Sequence, residues 1–180
     1  KCTALCTCVE EIARVCASSA LLPIIQAVGS YPVLEAARQP LLDTYRDKLS
    51  AGRTLAAYLV TEPGAGSDVA GIRTAARPDG DGWVIDGTKQ FATNGGGEPH
   101  RGLTFFAVDR DTPGLSIGKK EDKLGQRGSN TTEVILEGVR VGDDRVLGEV
   151  GGGFGLAMRD FDMSRPAIAA QALGIAEGAL

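Results

Sequence analysis

Between Tyr58 and Gly71 the chain reads Tyr58-Leu59-Val60-Thr61-Glu62-Pro63-Gly64-Ala65-Gly66-Ser67-Asp68-Val69-Ala70-Gly71, an apolar run opening into a glycine-rich loop. Such a loop offers main-chain N–H groups, two hydroxyls and two acids. Gly64 and Gly66 let a planar or phosphorylated ligand approach the backbone closely. The loop lacks the GKS or GKT of a phosphate loop and the GxGxxG of a dinucleotide fingerprint. An ordinary connector can have the same composition, so the loop alone assigns no ligand. A second candidate is Phe161-Asp162-Met163-Ser164-Arg165-Pro166. On a helix Asp162 and Arg165 share a face, where they can hold a ligand or only each other, the latter worth a few tenths of a kcal/mol.

Four cysteines, Cys2, Cys6, Cys8 and Cys16, crowd the front of the chain, and the single histidine is His100. Cys2 and Cys6 fall on one helical face, Cys8 points elsewhere, and no ligand pair of zinc-site spacing forms. They read as small helix residues in a reducing compartment. His100, beside Pro99, reads as an exposed loop residue.

These groups must be positioned by three stretches of different texture. Residues 1 to about 50 are helical by period: Leu5, Val9, Ile12 and Cys16 recur at three- and four-residue steps. Pro23, Pro32 and Pro40 are expected to divide this stretch into short helices, and Gly52 to close it. From Thr54 to Leu147 short apolar runs alternate with Gly, Asp and Pro: 54–60, 72–76, 83–85, 89–92, 103–108 and 133–136. That texture predicts antiparallel strands, with a hairpin turn at Asp86-Gly87 and Trp83 packing on it. After Gly151-Gly152-Gly153 helical period returns, with Phe154, Ala157, Phe161, Arg165, Ile168, Ala172 and Ile175 on one face and Pro166 as a kink. The expected fold is α+β: N-terminal helices over 1–53, a central antiparallel β barrel or sandwich over 54–150, and the start of a C-terminal helical domain over 151–180.

The 180 residues carry a net charge of −4, with 43% hydrophobic and 23% charged residues, near the globular average. No basic stripe interleaved with aromatics supports nucleic-acid binding. No apolar run is expected to reach the length of a membrane span, and no targeting signal is visible. The chain opens on Lys1 and its last helical pattern is still running at Leu180, which reads as truncation at both ends.

Four segments, in order, resemble the acyl-CoA dehydrogenase family. They are the Tyr58–Gly71 stretch; Ile85-Asp86-Gly87-Thr88-Lys89-Gln90-Phe91-Ala92-Thr93-Asn94-Gly95; Lys123-Leu124-Gly125-Gln126-Arg127-Gly128-Ser129-Asn130-Thr131-Thr132-Glu133; and Gly153-Phe154 followed by Phe161 to Pro166. Glu10 to Val15 resembles its N-terminal helix. The resemblance implies FAD as cofactor, held along Tyr58, Leu59, Val60, Thr61, Gly66 and Ser67, with Phe91, Ala92 and Thr93 packed on the isoalloxazine. It implies that Ser67 also touches the pantetheine arm and that Asp162, Met163, Ser164 and Arg165 bind the CoA portion of an acyl-CoA substrate. The protein would position and tune the flavin, and the flavin would carry the redox chemistry. An electron-transfer flavoprotein would collect the electrons from a homotetrameric or homodimeric parent enzyme, in the bacterial cytoplasm rather than the mitochondrial matrix.

The chain departs from the family at several positions. Phe91 stands where Trp is usual, Leu59 where a small residue is common, and Gly142 where proline is usual. The family's catalytic glutamate commonly lies in a C-terminal region beyond these residues. Its minority position, just before the arginine, is Ser164 here, so the base is expected outside the chain. A flavin oxidase, monooxygenase or acyl-carrier-protein dehydrogenase on the same scaffold fits the motifs too. A non-enzymatic β-barrel binding module is the other alternative.

Overall fold

The computed structural model describes residues 2–66, 71–90 and 102–180. Three helices open the chain: α1 (Cys2–Ala13), α2 (Ala17–Ala36) and α3 (Gln39–Ser50). Strands β1 (Ala75–Asp79), β2 (Gly82–Lys89), β3 (Phe105–Phe106), β4 (Leu115–Lys120), β5 (Thr132–Gly142) and β6 (Val146–Leu147) follow, and α4 (Gly153–Ala179) ends it. The α+β expectation holds. The strands do not close into a barrel: β1-β2-β5-β4 form one antiparallel sheet and β3 pairs β6 separately. Trp83 joins the two, stacking edge-on to Phe106 at 5.6 Å and donating its indole N–H to Asp143 at 3.2 Å.

Pro23 and Pro32 do not divide the N-terminal region as expected, because α2 runs through both. Each proline costs a backbone donor, but α2 buries Ala20, Ile24, Val28 and Pro32 itself, so tertiary packing outweighs the local penalty. Pro40 does stand in the first turn of α3, where a missing N–H costs little. The break between α1 and α2 comes instead at Arg14 to Cys16. Helix α2 is also long and apolar enough to cross a membrane by length and composition, contrary to the expectation from the sequence. In the fold it packs against α1, α4 and α3.

The hairpin turn does not fall at Asp86-Gly87. Strand β2 passes straight through both residues, and the reversal lies at Gly80-Asp81, between the paired residues Asp79 and Gly82. Gly80 takes φ +63, the left-handed value that such a turn needs. Asp86 serves a different purpose: its carboxylate accepts the Gly138 N–H at 2.7 Å and meets Arg77 at 2.5 Å, fixing a bulge in β5 opposite it. A Cβ at Gly87 would collide with Thr74. Both residues of the pair are therefore fixed by tertiary contacts of a strand interior.

Helix α4 is rotated relative to its expected face. Ala157 and Phe161 are buried, together with Leu156, Asp160, Ser164, Ala167, Ala170, Gln171 and Gly174. Ile168 and Ile175 are exposed, as are Arg165 and Ala172. The reason is close packing on α1. A Cβ at Gly174 would run into the Glu10 carbonyl, and one at Gly178 into that of Arg14, so the contact face must be small. We expect Gly174→Leu to separate α1 from α4 and to destabilise the fold by at least about 1–3 kcal/mol. Chemical denaturation measures this; an unchanged midpoint would contradict the packing described.

Candidate functional site

The segment 54–60 is expected from its apolar run to be a strand, yet it pairs with no described strand and lies between two layers. Its side chains alternate. Tyr58 and Val60 enter the helical cluster with Val9, Ile24, Val28, Ala157 and Phe161, whereas Leu59 packs against the sheet cluster of Ile85, Val134, Leu136 and Val139.

Helix α2 anchors its start. The Gln26 amide donates to the carbonyls of Leu49 at 3.2 Å and Thr54 at 2.9 Å, and accepts the Ala56 N–H at 3.1 Å. A Cβ at Gly29 would sit 2.7 Å from the Ala56 carbonyl carbon, so only glycine lets the helix approach the segment this closely.

A buried ion pair holds the other end. Glu62 and Lys89 meet at 2.8 Å, with side chains only 6% and 10% exposed. Glu62 also accepts the Arg73 and Thr74 N–H groups at 2.7 and 2.9 Å, and Lys89 donates to the Val60 carbonyl at 3.2 Å. Burial alone would raise the Glu62 pKa, but the hydrogen bonds from Lys89, Thr74 and Arg73 win and hold it at about 2. Burial pulls Lys89 below its ordinary value, opposed by the Glu62 charge. Next to this pair the Gln90 N–H donates to the Thr61 carbonyl at 2.8 Å. The ends of two sequence motifs, 58–62 and 85–90, thus lie side by side. Beyond Thr61, Glu62 and Ala65 exchange hydrogen bonds across a tight turn, leaving open space at Gly64 and Gly66.

Ser67, Phe91, Ala92, Thr93 and His100 lie outside the described residues. On α4, Asp162 and Arg165 are exposed, and among the described residues no ion pair joins them. The Arg165 guanidinium lies 5.5 Å from the centre of the Phe161 ring. Met163 is half-buried, and its carbonyl faces the Cys2 thiol at 3.6 Å. Ser164 is buried and donates to the Phe161 carbonyl at 3.3 Å, so its hydroxyl is turned into its own helix.

Asp160 belongs to none of the motif residues singled out by sequence, yet it is the most unusual side chain of α4. It is fully buried, and among the described residues neither carboxylate oxygen has a hydrogen-bond partner. Burial pushes its pKa up to about 7. The hydroxyl of Tyr58 is likewise buried without a partner, and burial first, then the Asp160 charge, raises its pKa. The sequence signal for Asp160 is the helical period itself: it lies three residues after Ala157 and four before Ser164.

Glu62→Gln leaves the Lys89 ammonium buried without its counter-charge. The expected loss is about 3–5 kcal/mol in denaturation at neutral pH. Because folding lowers the Glu62 pKa from 4.5 to about 2, its contribution is complete above pH 4.5 and is lost as pH falls through 2. The variant lacks that acid-dependent component. Equal stability of the two proteins at neutral pH would contradict the role given to the pair.

Residues 57–139 match the family described as acyl-CoA dehydrogenase, middle domain. The chain is 57% identical over 190 residues to cyclohexane-1-carbonyl-CoA dehydrogenase of Syntrophus aciditrophicus, covering 98% of this chain and 50% of that protein. Among solved structures, butyryl-CoA dehydrogenase from Megasphaera elsdenii superposes with a TM-score of 0.88 at 35% identity, over 95% of this chain and 49% of that one. An acyl-CoA dehydrogenase complexed with FAD from Bacillus anthracis gives a TM-score of 0.83 at 30% identity, over 92% and 31%. The chain spans about half the length of the curated relatives it matches. Sequence motifs, layered architecture and superposition agree, and the chain belongs to the acyl-CoA dehydrogenase family.

Proposed function

We propose that this chain supplies the flavin- and thioester-binding part of an FAD-dependent enzyme that oxidises acyl-CoA thioesters to trans-2-enoyl-CoA. The observation that carries this reading is the hydrogen bond from Gln90 to the Thr61 carbonyl, flanked by the Glu62–Lys89 pair. It makes neighbours of the two segments whose motifs point to the flavin.

The described residues fit such a cofactor. The main chain at Gly64 and Gly66 has open space where a side chain would otherwise stand, and the Tyr58 hydroxyl is a buried polar atom without a partner among the described residues. When bound, FAD would accept the electron pair from the thioester. The chain's own part is to bind and orient. Leu59, Thr61 and the turn at 62–66 would line the cofactor, with Tyr58 and Val60 fixing the segment from the helical side. Ser67, Phe91, Ala92 and Thr93 would complete the cradle. Asp162 and Arg165, exposed and not engaged with each other, are available to the CoA portion of the substrate, with half-buried Met163 and buried Ser164 between them completing that stretch.

The proton at the α carbon needs a base within hydrogen-bond reach. Glu62 is held by Lys89 and two main-chain N–H groups, and Ser164 is turned into its helix, so we place the base in the part of the enzyme beyond residue 180. Electron-transfer flavoprotein as acceptor, a homodimeric or homotetrameric parent and a bacterial cytoplasmic setting belong to the same proposal. The relatives with cyclohexane-1-carbonyl-CoA in their names favour a compact acyl group among its substrates.

Titrating the protein with FAD is expected to shift the visible flavin bands and quench flavin fluorescence. A spectrum identical to that of free FAD would contradict the proposal. Thr93→Ala removes one hydrogen-bond donor and should weaken FAD binding by about 1–2 kcal/mol. Unchanged affinity would remove Thr93 from the cradle.

A further inference from the structure

Asp160 is out of place by the rules that govern the rest of the core. An ionised carboxylate is costly to bury unless it is paired, and in this helix both oxygens are buried without a hydrogen-bond partner. Glu62, the other buried acid among the described residues, has a cation and two N–H groups around it. Asp160 instead adjoins an aromatic trio in which Tyr58 stacks against Phe105 at 5.4 Å and Phe161 at 6.2 Å. Tyr58 in turn is part of the segment that we read as lining the flavin.

We propose that Asp160 is an electrostatic positioning residue for the flavin, acting across the Tyr58 ring, and that it takes up a proton when the flavin is reduced. The inference rests on the proposed binding of flavin along 58–66. A negative charge in a low-dielectric interior acts over a longer range than in water, and among the described residues nothing beside this one neutralises it.

The surrounding groups do not obscure the effect. From α1 the half-buried titratable side chains are Cys2, Cys6 and Glu10. Glu10 lies against Gly174, more than three helical turns from Asp160. The buried face of α2, with Ala20, Ile24, Val28 and Ser30, carries no titratable group. The 54–66 segment contributes Tyr58 and, further along, the mutually neutralised Glu62 and Lys89. Arg159, Asp162 and Arg165 of α4 are exposed, and the Arg165 guanidinium, 5.5 Å from the centre of the Phe161 ring, is the cation nearest the aromatic trio among them. Burial alone places the Asp160 titration at about 7, where added negative charge nearby shifts it towards the protonated form.

Reduction of bound flavin by two electrons with uptake of one proton would add one net negative charge beside the Tyr58 segment. The Asp160 carboxylate gains a second proton from solvent and becomes neutral. The electrons come from a two-electron reductant, the acyl thioester in turnover or dithionite in a titration. Loss of the Asp160 charge offsets the charge gained by the flavin, so reduction is easier below neutral pH than above it.

The test is the midpoint potential of the FAD-loaded protein as a function of pH across neutrality, for the wild type and Asp160→Asn. We expect the wild-type slope to be steeper by up to one proton per two electrons, about 30 mV per pH unit. The variant should lose that excess and have the higher potential at alkaline pH. A redox-induced infrared difference spectrum of the wild type, with and without 13C-aspartate, gives the same answer if the variant does not fold. A labelled carboxylic-acid band should grow on reduction. Equal slopes, or no such band, overturn the proposal and leave flavin binding standing. Failure of the wild type to bind FAD overturns both.

Discussion

The contact between Glu62 and Lys89 fixes the geometry on which the candidate site depends. One partner ends the segment 58–62 and the other ends β2, separated by 27 residues in sequence and 2.8 Å in space. A buried ion pair contributes little net stability, since desolvation consumes most of its attraction. Its directional value is greater. Lys89 has a second bond to the Val60 carbonyl, and Glu62 gathers two further N–H groups, so each charge has several partners at set angles. An apolar pair of similar volume would fill the space without specifying register. With the charges in place, the Gln90 N–H has one well-placed acceptor, the Thr61 carbonyl.

The rest of the architecture serves this arrangement from two sides. On one, α1, α2 and α4 form a layer that receives Tyr58 and Val60. Gly29 and Gln26 bring α2 against the segment, and the small face of α4 brings that helix against α1. On the other, the four-stranded sheet receives Leu59 and places Lys89 at the end of β2. The segment is thus extended because its alternate side chains are claimed by different layers. Asp160 is the exception to this packing, the one buried acid in the helical layer, with no compensating group among the described residues. Such exceptions concentrate at functional sites, where stability is given up for chemistry.

Much of this is legible in the sequence, and the failures have physical causes. The helical start, the strand-rich middle and the final helix follow from period and turn residues. The glycine-rich loop is recognisable because few backbones need two glycines beside an acid and two hydroxyls. The hairpin is misplaced because the sequence holds Asp-Gly at 79–80 and 81–82 as well as at 86–87, and local propensity cannot rank them. The bulge opposite Asp86 and the contact of Gly87 with Thr74 decide the matter, and both involve distant residues. The face of α4 is misread when large apolar residues are taken to mark the interior. Close packing on α1 demands small ones, leaving Ile168 and Ile175 outside and drawing Asp160 and Ser164 in. Charge suggests a surface position for Lys89 too; only its partner, far away in sequence, makes burial tolerable.

Amide hydrogen exchange at Gln90 tests the central claim most directly, because its N–H is the donor that joins the two segments. In the wild type this amide should exchange only through large-scale opening, as slowly as the β2–β5 ladder beside it. In Glu62→Gln it should become fast under conditions where the amides of α4 stay protected, showing that the ion pair holds the local geometry. If Gln90 keeps its wild-type protection in that variant, packing alone holds the two segments together and the Glu62–Lys89 pair does not set the geometry of the site.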